Sequence, residues 1–103
     1  VLIPFPFSNL LEDKLRPVLV VSNEKLHKTK DFIGIAISRQ NPKGIVTLPL
    51  DSSDLREGAL AEGSFVHPHK IHVLEQSLVQ KVVAIVEPAF LERVIETLEK
   101  YLA

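Results

Sequence analysis

The sequence predicts a β-rich α+β fold, a small and strongly curved barrel-like sheet with one α-helix at the C-terminal end. Three observations point there. Short apolar segments rich in Val and Ile recur up to residue 86, separated by Pro, Gly, Asn and Asp clusters. Only the last stretch, 88–102, carries apolar residues at helical spacing. The chain has 103 residues, 46% of them hydrophobic, which is enough to bury the core of one domain over 1–103.

Each element has a local reason. Val1 to Phe7 is apolar but holds Pro4 and Pro6. Proline cannot donate to a ladder, so this segment is an edge strand that leaves the sheet near Pro6. Ser8 to Leu15 reads as a polar loop. Pro17 to Ser22 is a continuous apolar strand, expected to be buried on both faces. Asn23 to Asp31 is a basic connector. Phe32 to Ser38 is a second buried strand, and Arg39 to Gly44 is a turn cluster. Ile45 to Leu50 reads as a third long strand. Asp51 to Glu62 is polar and holds a short helix or an irregular loop. Ser64 to Val66 and Ile71 to Leu74 read as short strands on either side of Pro68, and Leu78 to Val86 as another strand. Glu87-Pro88 then opens the helix, with proline at a favoured first-turn position. Phe90, Leu91, Val94, Ile95, Leu98, Tyr101 and Leu102 form its apolar stripe.

Composition narrows the chemistry. There is no Cys, so disulfide frames and thiolate catalysis are excluded, and a reducing, cytoplasmic setting is the expectation. No apolar run approaches the ~20 residues of a membrane span. The net charge of −1 argues against non-specific coating of nucleic acid. Its distribution says more. Through Lys43 there are seven cations against four carboxylates, a net of +3, and the remainder of the chain carries −4. A basic half suits a polyanion while the acidic half faces solvent or a partner; ordinary solvation of a mixed surface is the competing reading.

The most informative segment is Lys14-Leu15-Arg16-Pro17-Val18-Leu19-Val20-Val21-Ser22. Pro17 drives the backbone of Arg16 into extended conformations. A guanidinium on so restricted a stem, at the mouth of a buried strand, is a prepared clamp for a phosphate, whose oxygens match its planar fork of donors. The plainer alternative is an ordinary surface arginine.

The pattern as a whole resembles the MazF/PemK family of toxin endoribonucleases, the mRNA interferases of type II toxin–antitoxin systems. The matching blocks run in order: Val1 to Ser8, Lys14 to Val20, Ile35-Ala36-Ile37-Ser38-Arg39-Gln40, Ser64-Phe65-Val66, and Lys70-Ile71. The resemblance implies an SH3-like (CcdB/PemK-type) barrel with a C-terminal helix. It implies a homodimer that cuts single-stranded RNA without a metal or other cofactor, and a cognate antitoxin that inhibits it. Three departures stand out. Ser38 occupies a position where many members carry Thr. The glycine usual before the last helix is absent, with Val82-Val83 in that region. His67 and His72 stand near Lys70, where relatives often carry Arg.

Metal-free cleavage requires the ribose 2′-hydroxyl to attack the adjacent phosphorus. One group must take the 2′ proton, one must neutralise the growing charge, and one must protonate the leaving 5′ oxygen. The catalytic candidates are Arg16 and Ser38. Arg16 suits charge neutralisation; a pKa above ~12 makes it a poor base, although the resemblance also implies an acid/base role. Ser38 would hydrogen-bond a phosphate oxygen if its strand neighbours that of Arg16; satisfying a local turn is the other reading. Gln40 bonds a base edge or holds the loop. Glu12 and Asp13 orient Arg16, act as base, or are solvated. Lys14 and Lys70 meet flanking phosphates. Ser64 supports the site as part of its matching block.

His67, His69 and His72 look like a metal cluster, but Pro68 interrupts them and no acidic ligand lies among them, so no metal is expected. His67 and His72 are instead read as weak phosphate contacts in place of arginines, or as surface residues without a role. Aromatic residues make up only 6% of the chain; Phe7 and Phe65 are the stacking candidates nearest the proposed groove, and core packing is the better reading for both. Two rival functions share the fold. One is a gyrase-binding toxin like CcdB, whose C-terminal Trp-Gly-Ile is replaced here by Tyr101-Leu102-Ala103. The other is an inactive relative that only binds RNA or protein.

Overall fold

The structure, a computed structural model, describes residues 1–4 and 15–103. Seven strands and two helices follow in the order β1 (Leu2–Pro4), β2 (Leu15–Val20), α1 (Glu24–His27), β3 (Asp31–Ser38), β4 (Leu48–Leu50), β5 (Leu55–Gly58), β6 (Ser64–Glu75), β7 (Ala84–Val86) and α2 (Pro88–Glu99). Five strands form an antiparallel sheet in the order β1-β2-β3-β6-β4, and β5 pairs with β7 in a second sheet. A single bridge from Leu2 to Lys81 ties the β1 edge to the segment before β7. This is the curved, β-rich architecture with a C-terminal helix that the sequence predicts; among the described residues the ladders do not close into one barrel.

The apolar runs of β2 and β3 are buried on both faces, as expected of strands without polar alternation. One face carries Leu19, Ile35 and Ile37 into a core with Leu50, Val66 and the α2 residues Phe90 and Val94. The other face buries Val18 and Phe32 with Ile3 of β1. Gly34 lets β2 lie close to β3 here, because a methyl group at this position would overlap Cγ1 of Val18. Gly34→Ala is therefore expected to cost about 1–3 kcal/mol by overpacking. The check is a lower urea midpoint with an unchanged m-value.

Several boundaries differ from the sequence reading. The basic connector contains α1, started by Asn23, whose side chain accepts from the Lys25 N–H at 3.0 Å. The strand expected over 45–50 shrinks to Leu48–Leu50, and that expected over 78–86 shrinks to Ala84–Val86. The polar stretch after Asp51 holds a 3₁₀ turn and then β5. Helix α2 ends at Glu99; Tyr101 and Leu102 are exposed, and the Tyr101 hydroxyl accepts from the Val46 N–H at 2.9 Å.

The largest difference is β6. Two short strands around Pro68 are one strand of 12 residues. Ile35 pairs with Ile71 and Ile37 with Val66, so His67 to Lys70 lie opposite Ala36 alone. Pro68 lacks the N–H a ladder needs, and the strand bulges around it instead of ending. This bulge turns toward the end of β3, where Ser38 stands.

Candidate active-site groove

A groove of about 760 Å³ opens where β2 begins and β3 ends. Arg16 lies on one side of it, paired across the sheet edge with Ile3, and is exposed. Ser38, Arg39 and Gln40 line it from the end of β3, Ser64 from the start of β6, and Lys70 from the far side of the bulge. The residues proposed for phosphate chemistry thus meet on one open surface although they span 55 positions of sequence, from 16 to 70. Among the described residues no carboxylate pairs with Arg16 or Lys70. Glu12, Asp13 and Lys14, and with them Phe7, lie outside the described residues. A second cavity, about 300 Å³, lies among aliphatic residues such as Val18, Leu19 and Leu91. Among the described residues no polar side chain lines it to bind or activate a substrate.

Ser38 is held from two sides. Its Oγ accepts from the Gln40 N–H at 3.2 Å and lies 2.8 Å from Nε2 of His67. The Gln40 side chain is exposed at the groove mouth. Ser64 is buried, and its hydroxyl donates to the Ala61 carbonyl at 2.6 Å. Its hydroxyl is thereby spent on holding the groove wall and is not free to donate into the groove.

The histidines fall elsewhere than the sequence suggests. His67 is only 1% exposed, so it cannot act as a surface phosphate contact. Burial, with Lys70 and His69 nearby, holds its pKa below the usual imidazole value, so the ring is neutral at pH 7. Strand alternation would place His67 opposite to the inward Val66; the bulge at Pro68 breaks that alternation and buries both. His72 pairs with Gly34 farther along β6 and does not line the groove. Among the described residues no three His, Asp or Glu side chains converge as metal ligands do. The Ser38–His67 contact is the feature the sequence reading missed. The departure from Thr at 38, beside an unexpected His at 67, was its only trace.

Comparison with known proteins agrees with this fold. A family model described as PemK-like, MazF-like toxin of type II toxin–antitoxin systems matches residues 1–102. No curated protein matches in sequence. Among solved structures, an endoribonuclease from a mycobacterial species superposes with a TM-score of 0.71 at 19% identity, covering 98% of this chain and 86% of that one. A mycobacterial endoribonuclease in complex with its cognate antitoxin gives 0.73 at 18% identity, covering 98% and 89%. The Mycobacterium tuberculosis toxin MazF-mt6 gives 0.70 at 16% identity, covering 86% and 87%. At these identities the superpositions establish the shared fold, and the family match over nearly the whole chain establishes more: the protein belongs to the PemK-like, MazF-like toxins of type II toxin–antitoxin systems.

Proposed function

We propose that the protein is an endoribonuclease toxin that cuts single-stranded mRNA in the Arg16–Ser38 groove without a metal ion. The observation that carries this reading is the meeting of an exposed guanidinium and a fixed alcohol on the walls of one open groove. The 2′-hydroxyl attacks phosphorus in line with the departing 5′ oxygen. Negative charge builds on the non-bridging oxygens. Arg16 neutralises it bidentately, and the Ser38 hydroxyl donates to one of those oxygens. Glu12 and Asp13, just ahead of Arg16 in sequence, orient it or take the 2′ proton. The P–O5′ bond breaks as the O2′–P bond forms, and the departing 5′ oxygen takes a proton from solvent or from the carboxyl that accepted the 2′ proton. The products are a 2′,3′-cyclic phosphate and a 5′-hydroxyl, and addition of water to the cyclic phosphate gives the 3′-phosphate. Gln40 meets a base edge beside the scissile phosphate or steadies the loop.

The setting follows from the family. A cognate antitoxin neutralises the protein, as the antitoxin-bound mycobacterial relative suggests. The active form in this reading is a homodimer working in the cytoplasm, where mRNA is translated. Among the described residues no helix is long and apolar enough to cross a membrane. The direct test is incubation with a long single-stranded RNA in EDTA, where cleavage supports the reading. Gyrase or RNA binding without cleavage would replace it with a binding toxin.

Lys70 supplies a flanking phosphate contact. Lys70→Ala is expected to raise KM with little change in kcat. It should also make the plot of log affinity against log salt shallower by about 0.7, the value of one single-strand phosphate contact. Binding titrations at several salt concentrations check this.

A further inference from the structure

We infer that His67 is a positioning residue that turns Ser38 into an obligate hydrogen-bond donor aimed at the groove. This rests on the nuclease reading above for its functional meaning, but the arrangement itself stands on geometry. A serine hydroxyl has one proton and two acceptor lone pairs. The Gln40 N–H occupies one lone pair of Oγ at 3.2 Å. Nε2 of His67, at 2.8 Å, either donates to the second or accepts the hydroxyl proton, depending on which ring nitrogen carries hydrogen.

The surroundings decide between the two. Nδ1 of His67 is buried with no hydrogen-bond partner. If Nδ1 held the proton, a buried N–H donor would be orphaned, which native structures rarely tolerate. With the proton on Nε2, the orphan is only a lone pair. Nε2 therefore donates, both Oγ lone pairs are filled, and among the described residues the hydroxyl proton meets no acceptor and points into the groove. Burial keeps the ring neutral, so it does not repel Lys70 or Arg16. Among the described residues the titratable groups beside the ring are His69 and Lys70 of its own strand. The end of β3 contributes only the uncharged Ser38 and Gln40.

The arrangement also accounts for serine at position 38. Threonine limits its own rotamers through its methyl group, whereas serine does not. A bond from behind the hydroxyl restores that restraint. His67 touches no substrate atom; it acts through Ser38.

The test measures kcat and KM for single-stranded RNA in EDTA with unmutated protein, His67→Gln and His67→Leu, together with ¹⁵N NMR of the His67 ring in the unmutated protein. The Gln amide nitrogen can occupy the place of Nε2 and donate; Leu fills the space and cannot. The expected result is near-normal kcat for His67→Gln. For His67→Leu, kcat should fall by about 10- to 100-fold with KM nearly unchanged. NMR should show hydrogen on Nε2 and bare Nδ1. The pH–rate profile of His67→Gln should match that of the unmutated protein. Full activity of a folded His67→Leu would overturn the inference. So would His67→Gln as slow as His67→Leu with its alkaline or acid limb altered, because the ring would then be titrating in the reaction. Hydrogen on Nδ1 would overturn it even if His67→Leu does not fold. If the unmutated protein cuts no RNA, the nuclease reading fails instead, and the NMR result still decides the bond.

Discussion

Arg16→Ala is expected to lower kcat/KM for single-stranded RNA by about 100- to 1000-fold while leaving thermal unfolding unchanged. The size follows from removing a preorganised charge aimed at the transition state. The unchanged stability follows from placement. Arg16 is exposed at the start of β2, outside both core clusters, and truncation leaves no buried cavity. Arg16→Lys separates charge from geometry. A lysine keeps the positive charge as a single point but cannot grip two phosphate oxygens at once. Its activity should fall between those of Arg16 and Ala. Steady-state kinetics with a labelled RNA, beside a thermal melt of each variant, reads both quantities. A variant that loses activity and Tm together would place Arg16 in the fold instead of the reaction.

Ser38→Ala should act on both activity and stability. It removes a donor to the phosphate, worth about 100-fold in rate. It also strips the acceptor from the Gln40 N–H and from His67, whose ring is buried. The exposed Gln40 N–H can turn to water, but leaving the buried His67 donor unpaired costs about 1–3 kcal/mol. The pairing of effects distinguishes Ser38 from Arg16, where activity alone falls. Ser38→Thr retains the hydroxyl, so the same bonds can form and the rate should stay well above that of the alanine variant. Denaturant unfolding of the three proteins, with kinetics on the same samples, makes the comparison.

Much of this was legible in the sequence because it depends on local rules. The uninterrupted apolar runs of β2 and β3 require burial on both faces, and both faces are buried. Pro88 and the spacing of Phe90 and Val94 fix the start and inner face of α2. Arg16-Pro17 at the mouth of β2 marks the guanidinium by local rules alone. What stayed hidden depends on how distant segments meet. Pro68 reads as a strand breaker, yet pairing with β3 on both sides keeps β6 continuous and moves the irregularity into a bulge. That bulge decides the fate of His67. By sequence it is one of three histidines near a lysine, and phosphate contact is the natural reading. In the structure it is sealed beneath Ser38, 29 positions earlier in the chain. Neither spacing nor alternation predicts such a contact. Ser64 lines the groove as its matching block implies, but that its hydroxyl closes a local turn to Ala61 is equally invisible in the sequence.

The measurement that bears most directly on the account is the chemistry of the ends released when long single-stranded RNA is incubated with the protein in EDTA. Attack by the 2′-hydroxyl at a phosphate held between Arg16 and Ser38 predicts fragments with 5′-hydroxyl and cyclic or 3′-phosphate ends. Fragments bearing 5′-phosphates, or RNA left intact by the folded protein, would contradict it.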